Sequence, residues 1–261
     1  MKILQLTGKQ MGIGNLILVN PEHGLDRAEP NMLVPVHQRQ DMLLCRPAAV
    51  LLEALMKEIG GWNEIVPVSA WRSMEEQQGI WDDTIAESGL EYTRKYVAIP
   101  GHSEHQTGLA IDLGLKQDEI DFICPEFPYT GICQRFREKA ADYGFIERYP
   151  KGKEEVTGIG HEPWHFRYVG IPHARIMKEN ELTLEEYMDF LKPYRYPVHS
   201  YVVANKTCDI LVSYLPAGAL QNTNIQVDDE QPYNISGNNA DGFIITEWRD
   251  AHANQVKKWW A

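Results

Sequence analysis

Helical and alternating apolar patterns follow one another along the chain up to about residue 195, beyond which the pattern is β-like. Between residues 47 and 59, Val50, Leu51, Ala54, Leu55 and Ile59 fall on one helical face, with Pro47 as the opening and Gly60-Gly61 as the stop. Residues 64–70 alternate enough for a strand, and the polar-apolar pattern of 73–87 predicts a helix. Over 107–115 the apolar positions 109, 111 and 113 alternate with 110 and 112. Asp112 therefore shares a strand face with Ala110 and Gly108, and His105 lies just before the strand.

Residues 132–143 predict an amphipathic helix, 145–149 a short strand and 165–169 another. Thr183 is placed to cap a short helix ending at 191, with Glu185 and Glu186 in its first turn. The first forty-five residues, broken by Pro21, Gly24, Pro30 and Pro35, read as an irregular wrap holding one strand. Residues 116–130 are rich in acidic side chains and contain Pro125 and Pro128, which predicts a long surface loop of the kind that often serves as a lid. Beyond 193–197, short β-like runs at 201–203, 210–215 and 243–248 are separated by the turn-rich SGNNADG. The expected organisation is α+β, with a principal domain over 1–195 and a small β-rich C-terminal extension over 196–261.

A hydrophobic content of 43% in 261 residues is enough for a sizeable core, so a soluble globular protein is the expectation. The formal net charge of −12 argues against nucleic acid and against an anionic membrane surface as partners. Lys2 and Lys9 resemble a signal n-region, but Gly14 and Asn15 break the apolar run and no cleavage pattern follows. No membrane anchor is expected, and a cytoplasmic location is. Cys45, Cys124, Cys133 and Cys208 have no framework spacing and read as free thiols.

Candidate chemistry gathers in two short stretches. GHSEHQTGLAID sets His105 seven residues before Asp112, and HEPWHF adds Glu162 and His165 about fifty residues later. Two imidazoles and one carboxylate suffice for a catalytic zinc site with one position left for water, and a nearby uncoordinated carboxylate would be its base. Because 162 and 165 would point to opposite sides of a regular strand, Glu162-Pro163 is expected on a turn leading into it. An isolated Arg72 would be a surface arginine paired with Glu75 or Glu76; aimed at the site, it would hold an oxyanion. Gln77 and Ser103 are candidates to bind a substrate carboxylate, or ordinary turn and helix residues. Trp71 and Trp164 read as core or pocket wall, and His102 and His161 as neighbours of the site or plain surface. His23, His37, His173, His199 and His252 have no companion spacing and read as structural or exposed.

Taken together, S-x-H-x-x-G-x-A-x-D from Ser103 to Asp112, E-P-W-H-F from Glu162 to Phe166, and the segment from Arg72 to Gln77 resemble the zinc D,D-peptidases of the VanY/VanX group. The resemblance spans residues 47–191 and is nearest to the VanXY type, through EYTRKYVAIPGHSEHQTGLAIDLGLK and GHEPWHFRYVGIPHA. It implies a small antiparallel sheet carrying one zinc ion, with helices packed around it. By it, His105, Asp112 and His165 would be the zinc ligands, Glu162 the general base and Arg72 the transition-state stabiliser, while Ser103 and Gln77 would contact the terminal carboxylate. The implied reactions are hydrolysis of D-Ala-D-Ala and removal of the last D-Ala from muramyl-pentapeptide precursors, both of which deplete the target of vancomycin. Two other readings use the same residues: a D,D- or L,D-carboxypeptidase without dipeptidase activity, and a non-catalytic module binding precursor or metal. The tail beyond the resemblance carries no motif, and a dimerising or lid-supporting module, hence a homodimer, is the expectation for it.

Overall fold

The computed structural model describes residues 1–25, 30, 32–204, 208–218 and 222–250. The chain divides into two compact units, Val19–Glu185 and the pair Met1–Leu18 with Glu186–Ala261. The sequence-based division at 195/196 differs in both directions. Ten residues of the expected catalytic domain go with the tail, and so does the N-terminus, because strand β1 (Lys2–Thr7) pairs with β10 (Asn222–Val227).

Unit Val19–Glu185 is built on an antiparallel sheet of order β4-β5-β7-β6, comprising β4 (Ile65–Ser69), β5 (Ala110–Leu115), β6 (Phe145–Tyr149) and β7 (Glu162–Tyr168). A second antiparallel pair, β2 (Leu33–Val36) and β3 (Arg39–Cys45), leads into helix α1 (Arg46–Ile59). The supposed wrap over the first forty-five residues thus contains three strands. Two of them pair locally across a turn at His37 (φ 51°), and the third finds its partner more than two hundred residues away.

Helix α1 buries Ala48, Ala49, Leu52, Leu55, Met56 and Ile59, while Val50 and Ala54 are exposed. The apolar stripe is therefore rotated from the expected one, since small alanines fit where α1 packs against α3 (Gly131–Ala140) and the sheet. Gly60 ends α1 in the left-handed conformation at φ 69°. Ser73 caps helix α2 (Met74–Tyr96) by accepting from the Glu76 amide, and Gly89 (φ 82°) interrupts the helix just past its expected end. The core runs through Leu44, Leu52, Leu55, Ile111, Leu113, Phe136 and Phe166.

Residues 116–130 are loop, as expected. Two short helices, α4 (Glu154–Thr157) and α5 (His173–Glu179), flank β7, and α6 (Leu184–Leu191) starts directly after Thr183. The other unit has a second antiparallel sheet of order β11-β12-β9-β8, from β8 (Tyr201–Val203), β9 (Cys208–Pro216), β11 (Tyr233–Gly237) and β12 (Gly242–Asp250). Its small core contains Leu6, Ile225, Val227, Phe243 and Ile245. Both units confirm the α+β class and the β-rich C-terminal part. All four cysteines are free thiols, and His252 lies outside the described residues. Among the described residues no helix is long and apolar enough to cross a membrane.

Candidate metal centre

Register brings the first two candidate ligands together. Asp112 on β5 and His165 on β7 are directly opposite each other in the ladder, so their side chains leave the same sheet face side by side. His105 comes from the 3₁₀ turn Glu104–Thr107 that delivers the chain into β5. Gly108 ends that turn at φ 67°, and a Cβ there would lie 2.7 Å from Leu33 and 3.1 Å from Cys45 Sγ. Its small size serves this close approach to β3 rather than leaving room for a metal.

The three side chains are buried, and one donor atom from each lies within 4.8 Å of the others. His105 Nε2 is 3.1 Å from Asp112 Oδ2, and His165 Nδ1 is 3.0 Å from Asp112 Oδ1. The other nitrogen of His105, Nδ1, lies 2.6 Å from the Ala70 carbonyl. A carbonyl can only accept, so Nδ1 carries the proton and Nε2 presents its lone pair to Asp112. Burial, helped by the Arg72 charge, pushes the His105 pKa down to about 4, so the ring is neutral at pH 7. A bare imidazole nitrogen thus faces a carboxylate oxygen, and the group beside the other oxygen, Asp112 Oδ1, is the second imidazole, through His165 Nδ1. Atoms arranged so call for a cation. Ligands bound at about 2 Å in tetrahedral geometry lie roughly 3.3 Å apart, near the two imidazole–carboxylate spacings, each of which runs to a different Asp112 oxygen. The donor set of two imidazoles and one carboxylate fits a catalytic zinc ion.

Glu162 Oε2 is 3.6 Å from His165 Nδ1. Glu162 is not on a turn: it is the first residue of β7, opposite Tyr149. The ladder passes from Glu147↔Phe166 to Tyr149↔Glu162, so β7 carries two extra residues there. That irregularity lets residues of odd separation face one site. Burial pushes the Glu162 carboxyl up to about 8, with Asp112 adding to it and His165 and Arg72 opposing. For His165 burial acts downward, but the Asp112 and Glu104 carboxylates prevail and push it up to about 9.

Arg72 is drawn into the site rather than toward Glu75 or Glu76. Its Nη2 donates to Asp112 Oδ2 at 3.0 Å, and its Nε to Ser69 Oγ at 2.7 Å. Ser103 lines the same pocket, together with Tyr96, Ala98, Phe122, Tyr149, Ile159 and Trp164. Gln77 is buried behind Arg72, with its amide donating to the Ala98 carbonyl and its oxygen accepting from Arg72 Nη1 at 3.4 Å. It is a brace for the guanidinium and for the pocket wall. His102 bonds to the Asn20 carbonyl, and His161 pairs with Tyr129; neither joins the ligand cluster.

Two residues escaped the sequence reading. Tyr149 packs its ring 4.8 Å from that of His165. Glu104, next to a ligand in sequence, is fully enclosed and bonded to Arg148 and Arg167. The signal was present in Arg148 and Arg167, which lie within the two strands β6 and β7, since full burial of such a charge requires a partner.

Comparison with known proteins follows this geometry. The family model for VanY, D-alanyl-D-alanine carboxypeptidase, matches residues 45–171. VanXYC of Enterococcus gallinarum, a bifunctional D-Ala-D-Ala dipeptidase and carboxypeptidase, is 42% identical over 182 residues, which cover 69% of this chain and 96% of that one. The crystal structure of the vancomycin resistance D,D-dipeptidase VanXYg, in complex with a D-Ala-D-Ala phosphinate analogue, superposes with a TM-score of 0.93 at 48% identity over 95% of this chain and 99% of that chain. A mutant VanY D,D-pentapeptidase from a VanB-type resistance cassette, in complex with Zn(II), superposes with a TM-score of 0.55 at 29% identity, over 67% of this chain and 98% of that one.

Proposed function

Since the chain belongs to the VanY family of D-alanyl-D-alanine carboxypeptidases, and is a hydrolase of the metallopeptidase kind, we propose that it cleaves D-Ala-D-Ala and also removes the terminal D-Ala from muramyl-pentapeptide precursors. The observation that carries this reading is the buried His105–Asp112–His165 cluster, with the Asp112 carboxylate held between two imidazoles, set between Glu162 and Arg72. His105 through Nε2, Asp112, and His165 through Nδ1 would hold one zinc ion. When bound, the ion supplies a Lewis acid for the scissile carbonyl and makes water acidic enough to be deprotonated near neutral pH.

Glu162 removes the proton from the attacking water and hands it to the departing D-alanine nitrogen; burial raises its pKa in the metal-free protein, and a bound cation would favour the ionised form that the base role needs. Arg72 is held by Ser69 and Gln77 before substrate arrives, so its charge meets the developing oxyanion without reorganisation. Ser103 donates to the terminal carboxylate, and Gln77 acts by fixing Arg72 and Ala98. Water is limited by Trp164, Tyr149 and Phe122, which close around the centre.

Catalysis is assigned wholly to Val19–Glu185, because the one metal-type cluster among the described residues lies there. The β-rich unit is proposed as an assembly or supporting module, with a homodimer as the expected state. Loss of the D-Ala-D-Ala terminus would place the enzyme in vancomycin resistance, acting in the cytoplasm where the precursor is built. Rates on D-Ala-D-Ala, D-Ala-D-Ser and UDP-muramyl-pentapeptide test the proposal. Release of D-alanine from the first and third supports it. Turnover of the pentapeptide alone would reduce it to a carboxypeptidase, and no turnover of either would refute it.

A further inference from the structure

Among the described residues of Val19–Glu185, Glu104 is the one buried carboxylate that the proposed hydrolysis leaves unused. We infer that Glu104 is a positioning residue for the ligand His165, accepting from Nε2 and so fixing Nδ1 as the metal-binding nitrogen. The inference rests on the metal-centre reading above.

The geometry is specific. His165 Nδ1 faces Asp112 Oδ1 at 3.0 Å, while Nε2, on the far side of the ring, lies 3.4 Å from Glu104 Oε2. An ionised carboxylate only accepts, so Nε2 keeps its proton and Nδ1 is the nitrogen that gives one up, presenting its lone pair, when a metal ion binds. His105 is oriented by a backbone carbonyl; His165 is oriented by a charge. A carboxylate behind a ligand imidazole both fixes the ring and makes it a stronger donor.

Glu104 is prevented from competing for the ion. Its Oε1 accepts from Arg148 Nε at 2.8 Å and from Arg167 Nη1 at 2.6 Å, and all three side chains are fully buried. The far edge of Arg148 donates twice to Glu185, at 2.9 and 2.6 Å. Two carboxylates and two guanidiniums cancel, so the orienting group adds no net charge to the centre.

Zinc affinity, measured by competition with a chromophoric chelator, tests the assignment. The parent is titrated first: failure to bind one equivalent would refute the metal reading itself. Glu104→Asp keeps the charge beside both arginines but withdraws it from His165, and Glu104→Gln removes the charge. Each should weaken zinc binding by about 10–100-fold. Glu185→Gln disturbs the same ionic cluster without touching His165 and should leave zinc affinity within about twofold of the parent. Unchanged affinity in both Glu104 variants, or an equal loss in Glu185→Gln, overturns the proposal. Imidazole ¹⁵N spectra of the zinc-loaded parent give an independent readout that needs no variant. They should show His165 metallated at Nδ1 and protonated at Nε2; the reverse assignment overturns it.

Discussion

In the proposed mechanism Glu162 and the three candidate ligands divide the work between proton transfer and metal binding, and a single truncation separates the two. Glu162→Ala should keep one zinc per chain and lower kcat by about 10²–10⁴-fold, since a positioned base contributes on that order. Activity near the parent's, with metal content verified, would remove Glu162 from the mechanism. The same groups predict a proton signal. In the metal-free protein Glu162, at about 8, and His165, at about 9, both hold protons at pH 7. Zinc requires a neutral imidazole and disfavours a neutral neighbouring carboxyl, so binding at pH 7 should release about two protons. Calorimetry in buffers of different ionisation enthalpy measures that number, which should fall toward zero above pH 9. Both folded values exceed the ordinary 4.5 of Glu162 and 6.5 of His165. Their contribution to the stability of the metal-free protein should therefore fall as pH rises from 4.5 to 9, most steeply between 6.5 and 8 where both titrate, and zinc should abolish that loss. At this scale His105, Asp112, Glu162 and His165 were legible because each sits in a short dense motif. Glu104 stands in the same motif, but its arginine partners lie 44 and 63 residues away. Its role depends on contacts that no local spacing encodes.

Strand register rather than any single residue builds the centre, and the loop after β5 shapes access to it. The acidic Asp118, Glu119 and Asp121 of this loop are exposed, and Asp121 caps the amides of Ile123 and Cys124. Phe122 and Ile123 are the loop residues that line the pocket, with the Phe122 ring 5.5 Å from the Arg72 guanidinium. Phe122→Ala should therefore shift the ratio of pentapeptide to dipeptide kcat/KM in favour of the longer substrate, by about tenfold on the scale of one apolar contact. Glu119→Gln should leave that ratio unchanged. An unaltered ratio in Phe122→Ala would dissociate the loop from selectivity. The loop itself, α1, β6 and the run through Asp112 were readable from period and from proline. The irregularity that turns Glu162 inward was not, because it arises where β6 and β7 pair and leaves no trace in either segment alone. Likewise the α1 stripe was misplaced by choosing Val50 and Ala54 as core, when Ala48, Ala49, Leu52 and Met56 face inward and those two face outward.

The molecule as a whole joins a unit carrying the metal-type cluster to a β-rich unit assembled from both chain ends. The β-like pattern after residue 195 made β8, β9 and β12 legible, whereas β10 and β11 were not picked out and the end of β11 was read as a turn. The contribution of Lys2–Thr7 was hidden, since a short strand with one buried side chain, Leu6, has little pattern until its partner is known. All of the function proposed here depends on one ion at one place in the larger unit. The most direct measurement is D-alanine release from D-Ala-D-Ala by the chelator-stripped protein as zinc is added back in fractions of an equivalent. Turnover should be absent at the start, rise linearly and level off at one zinc per chain. Full turnover in the stripped protein, or none after one equivalent has bound, would contradict the account.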